Sequence, residues 1–399
     1  MILFDKLSNE SIIVNEHSFL NCAKRPPQLR ILHMSAINPH TPWPVVARTA
    51  LLAAVAVCVV LLAFAWPSVT AKVQQLPVAV IGSTEQVAQL SQKAPEGALD
   101  IKTAPDRADA AHKIEQREIY GAIILGNQPE ILVSSAASPL AAQMLTQIGG
   151  QLQSQIQQQA IAGLQKALTQ GLPAGAAAGA PATIPTVKIT DVVPLSPDDA
   201  RGTGLAVAGL PLAMGGIVGG VLISLLVTGT WRRLAAVGGY AVLGGLGLTS
   251  IMQGWLHILQ GDFLLNALAI FLAVGATAAA IVGFNAFIGR AGIAVGSVLT
   301  MFIGNPLSSL TQPKEFLPGP WGEIGQWFVP GSSGTLLRDL SYFPETNTTF
   351  PWLVLAGWLV AGVVLTMVGH FRDQSGIPQH ENVVEEQVAE HRGAHMASV

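Results

Sequence analysis

The sequence predicts a multi-pass α-helical membrane protein with six transmembrane helices and an extracytoplasmic α/β domain between the first helix and the second. Three observations lead to this fold class. The 399 residues are 50% hydrophobic and only 11% charged, whereas soluble domains carry about 25% charged residues. Several apolar runs have about the 20 residues that a helix needs to cross a bilayer. One long stretch, Pro67 to Thr203, is much more polar.

Charge indicates a lipid bilayer as the main partner rather than a nucleic acid. The formal net charge is only −3, and the basic residues are scattered along the chain. A nucleic-acid surface concentrates Lys and Arg on one face. We therefore expect no nucleic-acid partner.

Six apolar runs are the predicted transmembrane helices, since each is apolar on every face. They are Val45–Trp66, Gly204–Trp231, Leu234–Ser250, Phe263–Phe284, Ala291–Asn305 and Trp352–His370. The fifth is short for a crossing. The predicted outer loop 306–351 lies between the last two.

The cations near these runs predict the orientation, because short loops rich in Lys and Arg stay in the cytoplasm. Four segments carry them on one side: the N-terminal segment 1–44, the gap with Arg232 and Arg233, the gap with Arg290, and the tail 371–399. We expect both termini in the cytoplasm and the stretch 67–203 outside the cell membrane. The arginine pair then holds a tight cytoplasmic turn.

The first run has two alternatives at its edges. It could be a secretory signal, but Thr70-Ala71-Lys72 is a poor small-residue cleavage site, so an uncleaved anchor is favoured. Translation could also begin at Met34 rather than Met1, and the shorter chain would still insert.

The polar stretch has the rhythm of strands and helices. A strand at 77–82 precedes a helix whose Ser83 and Gln86 form a capping box. A strand at 99–103 precedes a helix at 105–118, with Pro105 suited to the first helical position. Two further strands, 120–125 and 130–134, are separated by a turn at 126–129.

A long helix follows from Ser138-Pro139. Its apolar positions step by three and four: Leu145, Ile148, Leu152 and Ile156. Packing onto the sheet is the favoured interpretation, and a dimerising coiled coil is the alternative. Residues 171–187 are rich in Gly, Ala and Pro and predict a flexible linker, after which 186–197 returns an extended segment to the membrane.

One spanning helix, a β-α-β-α-β-β-α domain and five further spans, from about Pro44 to His370, resemble the type-2 permeases of the ATP-binding-cassette transporters and the related phage-infection-protein-like membrane proteins. AHKIEQREIYGAIILG looks like that family's helix–Gly–strand unit, and the segment from Gly304 to Phe343 looks like its loop between the last two spans. The resemblance implies a permease that forms a homodimer and works with a separate ATPase subunit.

The sequence departs from that pattern at the sites that would use ATP. It contains no G-x-x-x-x-G-K-[ST] motif, so no ATP cofactor is expected on this chain. The turn Thr228–Arg233 lacks the acidic residue common in the coupling helix of such permeases, which places coupling to an ATPase in doubt.

No enzyme site is expected, catalytic or metal. Ser332-Ser333-Gly334 lacks the Gly-x-Ser-x-Gly frame of a hydrolase. His391 and His395 lie in a polar tail that is predicted to be disordered, and His112 with Glu115 is interpreted as two solvated residues on an outer helix.

The candidate site residues are polar or aromatic groups at membrane depth. Asn266 and Asn285 bracket the fourth span and are interpreted either as interhelical hydrogen-bonding groups or as part of a substrate path. Trp327 and Phe328 are candidates for an exit gate, in a loop expected to form short helices at the outer leaflet with Arg338 and Asp339 at its polar edge. Close helix packing is predicted at four glycines: Gly215, Gly216, Gly219 and Gly220.

Two functions remain open on the sequence. The first is a permease that exports a hydrophobic or amphipathic compound. The second is a non-transporting receptor or scaffold whose outer domain binds a protein or phage. A hydrophobic cavity between the spans would favour the first.

Overall fold

The computed structural model describes residues 42–93, 97–126, 128–169 and 185–374. The segment 1–41, most of the linker predicted at 171–187, and the tail 375–399 with His391 and His395 lie outside the described residues. Two compact units are distinguished, one ending at Ala54 within the first helix and one formed by the rest.

Eleven α-helices and five strands are present in the described residues. The helices are α1 Trp43–Thr70, α2 Thr84–Lys93, α3 Arg107–Glu115, α4 Pro139–Thr169, α5 Thr203–Leu226, α6 Thr230–Thr249, α7 Phe263–Ile288, α8 Arg290–Val298, α9 Trp321–Gly325, α10 Val329–Tyr342 and α11 Thr349–Gln374. The strands are β1 Leu76–Ile81, β2 Leu99–Lys102, β3 Gly121–Ile124, β4 Glu130–Val133 and β5 Lys188–Asp191.

The α/β domain has a mixed five-stranded sheet in the order β2-β1-β3-β4-β5. Strand β1 pairs in parallel with β2 and β3, β3 pairs antiparallel with β4, and β4 pairs in parallel with β5. The elements follow the predicted order. The predicted capping box is present, since Ser83 N donates to Gln86 Oε1 at 3.0 Å and Gln86 N donates to Ser83 Oγ at 3.3 Å.

Helix α3 begins two residues later than the sequence predicts. Pro105 is not its first residue, because Asp106 is the N-cap and its carboxylate accepts the backbone N–H of Asp109 at 2.9 Å. An acceptor side chain at this position satisfies a helix donor that would otherwise have no partner, which outweighs the preference of proline for a first turn.

Helix α4 packs onto the sheet through its first half. Leu145 is fully buried and Ile148 packs against the same core cluster, as the favoured interpretation of the apolar stripe requires. Leu152 and Ile156, further along, are only half-buried. The second half of the helix therefore extends past the sheet.

The helices outside the α/β domain differ in length. Five are long and apolar enough to cross a membrane: Trp43–Thr70, Thr203–Leu226, Thr230–Trp255, Phe263–Ile288 and Thr349–Arg372. The third continues α6 through a π-helical turn, Ser250–Trp255. These spans make the chain a multi-pass membrane protein by composition and length.

The predicted fifth span is a shorter helix. Helix α8 continues through a second π-helical turn, Leu299–Gly304, to give an apolar helix from Arg290 to Gly304. At 1.5 Å per residue this helix is about 22 Å long, less than the roughly 30 Å of a hydrocarbon core. Its length alone does not span a membrane.

Helix α7 is the centre of the helix bundle, with 78% of its apolar window buried. It packs against α5, α6, α8, α10 and α11. The contact with α11 leaves no room for side chains, since a Cβ built on Gly362 would lie 2.3 Å from the carbonyl carbon of Ala279. Small residues let these two backbones touch, which is how helices associate without a hydrophobic driving force.

Helix α5 ends at Leu226 and α6 begins at Thr230. The arginine pair therefore lies in the first turn of α6 rather than in the gap between the two helices. Arg233 folds back to α5: its Nε donates to Val227 O at 2.8 Å and its Nη2 donates to Ser224 O at 3.2 Å. A cation that hydrogen-bonds to the last carbonyls of a helix also interacts favourably with the helix dipole, which stabilises the end of the helix. Arg233 thus holds the tight turn.

Candidate functional site

The segment between Gly304 and α11 folds back into the helix bundle and forms the centre of the candidate site. It contains a 3₁₀ turn, Lys314–Phe316, followed by α9 and α10. Helix α10 is buried for most of its length, with Leu336 and Leu337 at 0% and 1% exposure in the same core cluster as Ile270 and Val274 of α7. The short helices predicted for this loop are therefore present, and α10 is packed among the long helices.

Glycines bring the turns of this segment together. A Cβ on Gly325 would lie 1.8 Å from Leu307 O, and a Cβ on Gly331 would lie 2.2 Å from Gly325 O. A Cβ on Gly304 would lie 3.0 Å from Phe328 and 3.1 Å from Pro330, near the start of α10. The end of the short α8 helix thus meets the start of α10.

Two phenylalanines anchor this segment in the α/β domain. Phe316, 2% exposed, belongs to the core cluster of Leu76, Ile123 and Leu145 under the sheet. Phe343, 1% exposed, packs with Ala136 and Ala137 in the turn before α4. The segment therefore contributes side chains to the hydrophobic core of a domain that lies far from it in sequence.

A buried ion pair joins the same two parts of the chain. The Arg117 guanidinium, at the end of α3, donates to the Asp339 carboxylate in α10, and their side chains are 16% and 3% exposed. The guanidinium also lies 5.4 Å from the centroid of the Phe343 ring. Arg117 has φ +58°, a conformation that costs energy for a residue with a Cβ, so the surrounding packing holds it there.

Further polar contacts connect the same two parts of the chain near the end of α1. Tyr120 OH donates to Glu315 Oε2 at 3.1 Å, and burial raises the pKa of this hydroxyl, so it stays protonated and able to donate. Gln74 Nε2 donates to the carbonyls of Glu315 and Leu317 at 3.1 and 2.8 Å. Lys72 N donates to Phe316 O at 3.1 Å.

We name this set of contacts the junction: the side chains of Arg117, Tyr120, Glu315, Phe316, Asp339 and Phe343. It ties α/β-domain residues to a helix that packs against α5, α7 and α11. The expectation that Arg338 and Asp339 mark a polar edge is wrong for Asp339, which is 2% exposed. Neither its partner Arg117 nor the two phenylalanines was predicted. Arg117 and Asp339 are 222 residues apart, and a pair so distant leaves no periodic signal.

Aromatic rings cluster around the ends of the helices near the junction. Trp66 of α1 meets Trp321 edge to face at 6.1 Å between centroids, and Phe64 meets Phe302 at 6.2 Å. Amphipathic rings favour the boundary between membrane and water. Trp66 and Trp321 are the two amphipathic rings of this cluster.

Trp327 and Phe328 lie in this aromatic region at the start of α10. Trp327 is 62% exposed, and its ring meets Phe350 edge to face at 5.0 Å. Phe328 is half-buried with its ring 6.2 Å from that of Trp358, whose Nε1 donates to Trp327 O at 2.8 Å. Both residues thus contact α11.

Asn266 and Asn285 are not brought together. Asn266 is fully buried near the start of α7, where its Nδ2 donates to Gln253 Oε1 at 3.0 Å and to Gln260 O at 2.7 Å. Its Oδ1 has no hydrogen-bond partner within the described ranges. Asn285 is half-buried about 28 Å further along the helix. The Gln253 contact is the interhelical hydrogen bond that one interpretation of Asn266 requires.

The four glycines of α5 lie at contacts within this chain. A Cβ on Gly216 would lie 2.6 Å from Thr277 Cβ of α7, and one on Gly219 would lie 2.3 Å from the ring of Tyr240 in α6. Gly220 faces Ala278 and Ile281 of α7 at 3.0 and 2.9 Å. The Gly215 carbonyl accepts the Tyr240 hydroxyl at 2.5 Å.

A small apolar pocket lies between α5 and α10. Its lining includes Leu205, Leu212, Met252, Leu310, Pro330 and Leu337. Its cavity volume is about 10 Å³, which is room for about one water. The pocket lies at the seam between α10 and α5.

No protein-family model, curated protein or solved structure matches the chain.

Proposed function

We propose that this protein is a permease that exports a hydrophobic or amphipathic compound across the cell membrane, in the manner of the type-2 ATP-binding-cassette permeases. The junction is the observation that carries this proposal. It joins the α/β domain to α10 through a buried ion pair and two buried rings. A change in the position of the domain would therefore move a helix inside the bundle, a coupling that a simple membrane anchor does not need.

The irregular backbone beside the junction also supports transport. Both π-helical turns and the short helix that ends at Gly304 occur near the junction end of the bundle. Irregular backbone at membrane depth is tolerated where protein covers it or where it lines a cavity, and π-helical turns within helices are frequent at functional sites. We assign α10 and the seam beside α5 as the gate of the export path.

A topology of six crossings is part of the proposal. Helix α8 begins at the end of α7 that is remote from the junction, where a Cβ on Gly292 would meet the backbone of Phe284. The chain is back at the junction by Glu315. The short helix to Gly304, together with the turns that follow it, therefore completes a crossing that its own length does not.

Cysteine labelling in intact cells tests this topology. In a chain with Cys22 and Cys58 replaced by Ser and Ala, we expect Ser154→Cys and Glu323→Cys to react with a membrane-impermeant maleimide from outside. Arg232→Cys and Arg290→Cys should react only after permeabilisation. All four positions are exposed. Labelling of positions 290 and 323 from the same side would contradict six crossings, and labelling of position 154 only from inside would contradict the orientation.

Substitution at the proposed gate tests the function. Trp327→Ala and Phe328→Ala should each lower export of a lipophilic fluorescent compound by about tenfold. This corresponds to a contribution of about 1.4 kcal/mol from each ring to the exporting conformation. Trp327 is largely exposed, so its loss should leave insertion and expression intact. Efflux from loaded cells is the measurement.

The matched control is Phe371→Ala. Phe371 is 67% exposed near the end of α11 opposite to the one that Trp327 and Phe328 contact, and it is not part of the junction. The Phe371→Ala variant should export at the wild-type rate. Equal efflux from all three variants and wild type would contradict the gate, and absence of efflux from wild type for a panel of lipophilic compounds would contradict export.

A second copy and a separate ATPase are proposed partners. Helix α1 leaves many apolar side chains exposed, including Val55, Val57, Leu61 and Leu62, which lipid or a second copy in a homodimer would cover. An ATPase would bind at the cytoplasmic turns, where Arg233 is already used to hold the α5–α6 connection.

The alternative is a non-transporting receptor or scaffold. The small size of the pocket beside α10 favours it, since a path for a lipophilic compound needs more room than one water. Under this alternative Trp327→Ala would bind less of an outside protein while efflux stays unchanged.

A further inference from the structure

We propose that His112, Glu115 and Glu345 form a binding site for a divalent transition-metal ion, with Zn²⁺ as the best-suited ion. This site lies on the surface beside the junction and does not depend on the proposed transport function. One ligand atom from each of the three side chains lies within 4.8 Å of the others. His112 Nδ1 is 3.5 Å from Glu345 Oε2 and 4.0 Å from Glu115 Oε2.

These separations are close to those of a filled site. Zn²⁺ binds imidazole nitrogen and carboxylate oxygen at about 2.0–2.2 Å, so two ligand atoms of a tetrahedral site lie roughly 3.4 Å apart. The three side chains are about half exposed, and rotation about their own bonds is enough to close the remaining gap. Water from the open side would complete the coordination.

The backbone holds the ligands in place from two elements. His112 and Glu115 are three residues apart on α3 and thus share one face of that helix. Glu345 lies on the turn before α11, which is tied to α3 because Thr346 Oγ1 donates to Glu115 O at 3.3 Å. The hydrogen bond of the neighbouring Thr346 therefore holds Glu345 beside α3, independently of the Glu345 charge.

The second nitrogen of His112 has a neighbour that suits a metal ligand. Its Nε2 lies 3.0 Å from Gln116 Nε2, and a flip of that amide puts the Gln116 oxygen in the same place. Amide oxygen and nitrogen are assigned from the hydrogen-bond network, so the Gln116 oxygen can accept the Nε2 proton. This arrangement leaves Nδ1 as the lone-pair donor, and metal-bound histidines are commonly oriented in this way.

The ligand set selects the class of ion. One imidazole with two carboxylates suits Zn²⁺ and related transition metals, while Ca²⁺ and Mg²⁺ prefer oxygen ligands alone. The two carboxylates supply two negative charges that a divalent cation would neutralise. A bound ion would connect α3 to the turn before α11, next to the Arg117–Asp339 pair.

Zinc titration of the full-length protein tests the site. The protein is purified in detergent with His391→Ala and His395→Ala, which removes a competing pair in the tail, and Zn²⁺ binding is measured by calorimetry. We expect a single strong site that Mg²⁺ at the same concentration does not occupy. Glu345→Gln and His112→Ala should each weaken it by at least about tenfold.

The control is His257→Asn, which removes a different exposed histidine in a backbone conformation with positive φ that Asn tolerates. It should bind Zn²⁺ like the parent. Glu345 is on the surface, so Glu345→Gln reports on the site even if His112→Ala misfolds. Equal Zn²⁺ affinity in the parent and Glu345→Gln, or no strong binding by the parent, would overturn the proposal.

Discussion

Asp339→Ala is expected to lower the free energy of unfolding of the full-length protein by about 3 kcal/mol or more. The substitution leaves the Arg117 guanidinium, 16% exposed, without the carboxylate that neutralises it. The Phe343 ring lies 5.4 Å from it and supplies no charge, and the nearby Glu315 carboxylate, which accepts from Tyr120, interacts with it without a hydrogen bond. Loss of one partner of a buried pair is costly mainly because the other remains.

Removal of both charges separates stability from coupling. Arg117→Met with Asp339→Ala takes the unpaired charge away, and we expect this double variant to recover most of the lost stability. Its junction still contains Phe316 and Phe343 but lacks the ionic link to α10. If the junction transmits movement to the gate, the double variant should be stable and export slowly.

Unfolding by SDS titration in mixed micelles measures both effects. The matched control is Arg107→Met, which removes an arginine from an ion pair with Glu130 inside the α/β domain, at 2.8 Å. The Arg107 side chain is 50% exposed, and Glu130, 12% exposed, keeps Lys188 Nζ at 3.4 Å and the Thr190 hydroxyl at 2.6 Å when Arg107 is removed. We therefore expect a loss of about 1 kcal/mol or less. An Asp339→Ala variant as stable as this control would remove the buried pair from the account of the junction.

Local signals explain which parts of the fold the sequence predicts. Hydropathy locates five long spans because a helix in lipid must be apolar on every face. Strand and turn patterns locate the elements of the α/β domain, and the Ser83–Gln86 box is read correctly. Pro105 misleads because a proline preference is weaker than the Asp106 cap, a contact that only the backbone geometry reveals.

Contacts between distant parts of the chain explain what the sequence does not predict. Phe316 and Phe343 appear in the sequence as apolar residues of an outer loop, and nothing in their neighbours indicates that they enter the core of another domain. His112 and Glu115 likewise acquire Glu345 only through the fold. The helix from Arg290 to Gly304 has the composition of a span, but it ends at Gly304, where it meets Phe328 and Pro330 at the start of α10.

The other large effect is expected at Gly362, where α11 touches α7. Gly362→Leu should lower the free energy of unfolding by about 3 kcal/mol or more, the upper end of overpacking costs. A Cβ at this position would lie 2.3–2.6 Å from the backbone of Ala279 and Ala280. Backbone atoms cannot rotate away, so the two helices must separate along their contact.

A graded series of glycine substitutions tests this contact. A Cβ on Gly216 would lie 2.6 Å from Thr277 Cβ, an atom that a change of rotamer does not move. Gly216→Leu meets one side chain rather than a stretch of backbone, so we expect a loss in the upper part of about 1–3 kcal/mol. Gly219→Leu meets the Tyr240 ring at 2.3 Å and should fall in the same range. In each case the bulky side chain pushes apart helices of the same chain.

Gly238→Leu is the control, since it lies exposed in α6 and a Cβ there has no atom within 4 Å among the described residues. It should unfold like wild type, because a leucine at this position faces lipid. The order of stability expected in SDS titration is Gly238→Leu, then Gly216→Leu and Gly219→Leu, then Gly362→Leu. If Gly362→Leu is no less stable than Gly238→Leu, the backbone contact between α7 and α11 does not hold the bundle together. If a variant loses only its oligomer while each chain stays folded, the glycines act between copies instead.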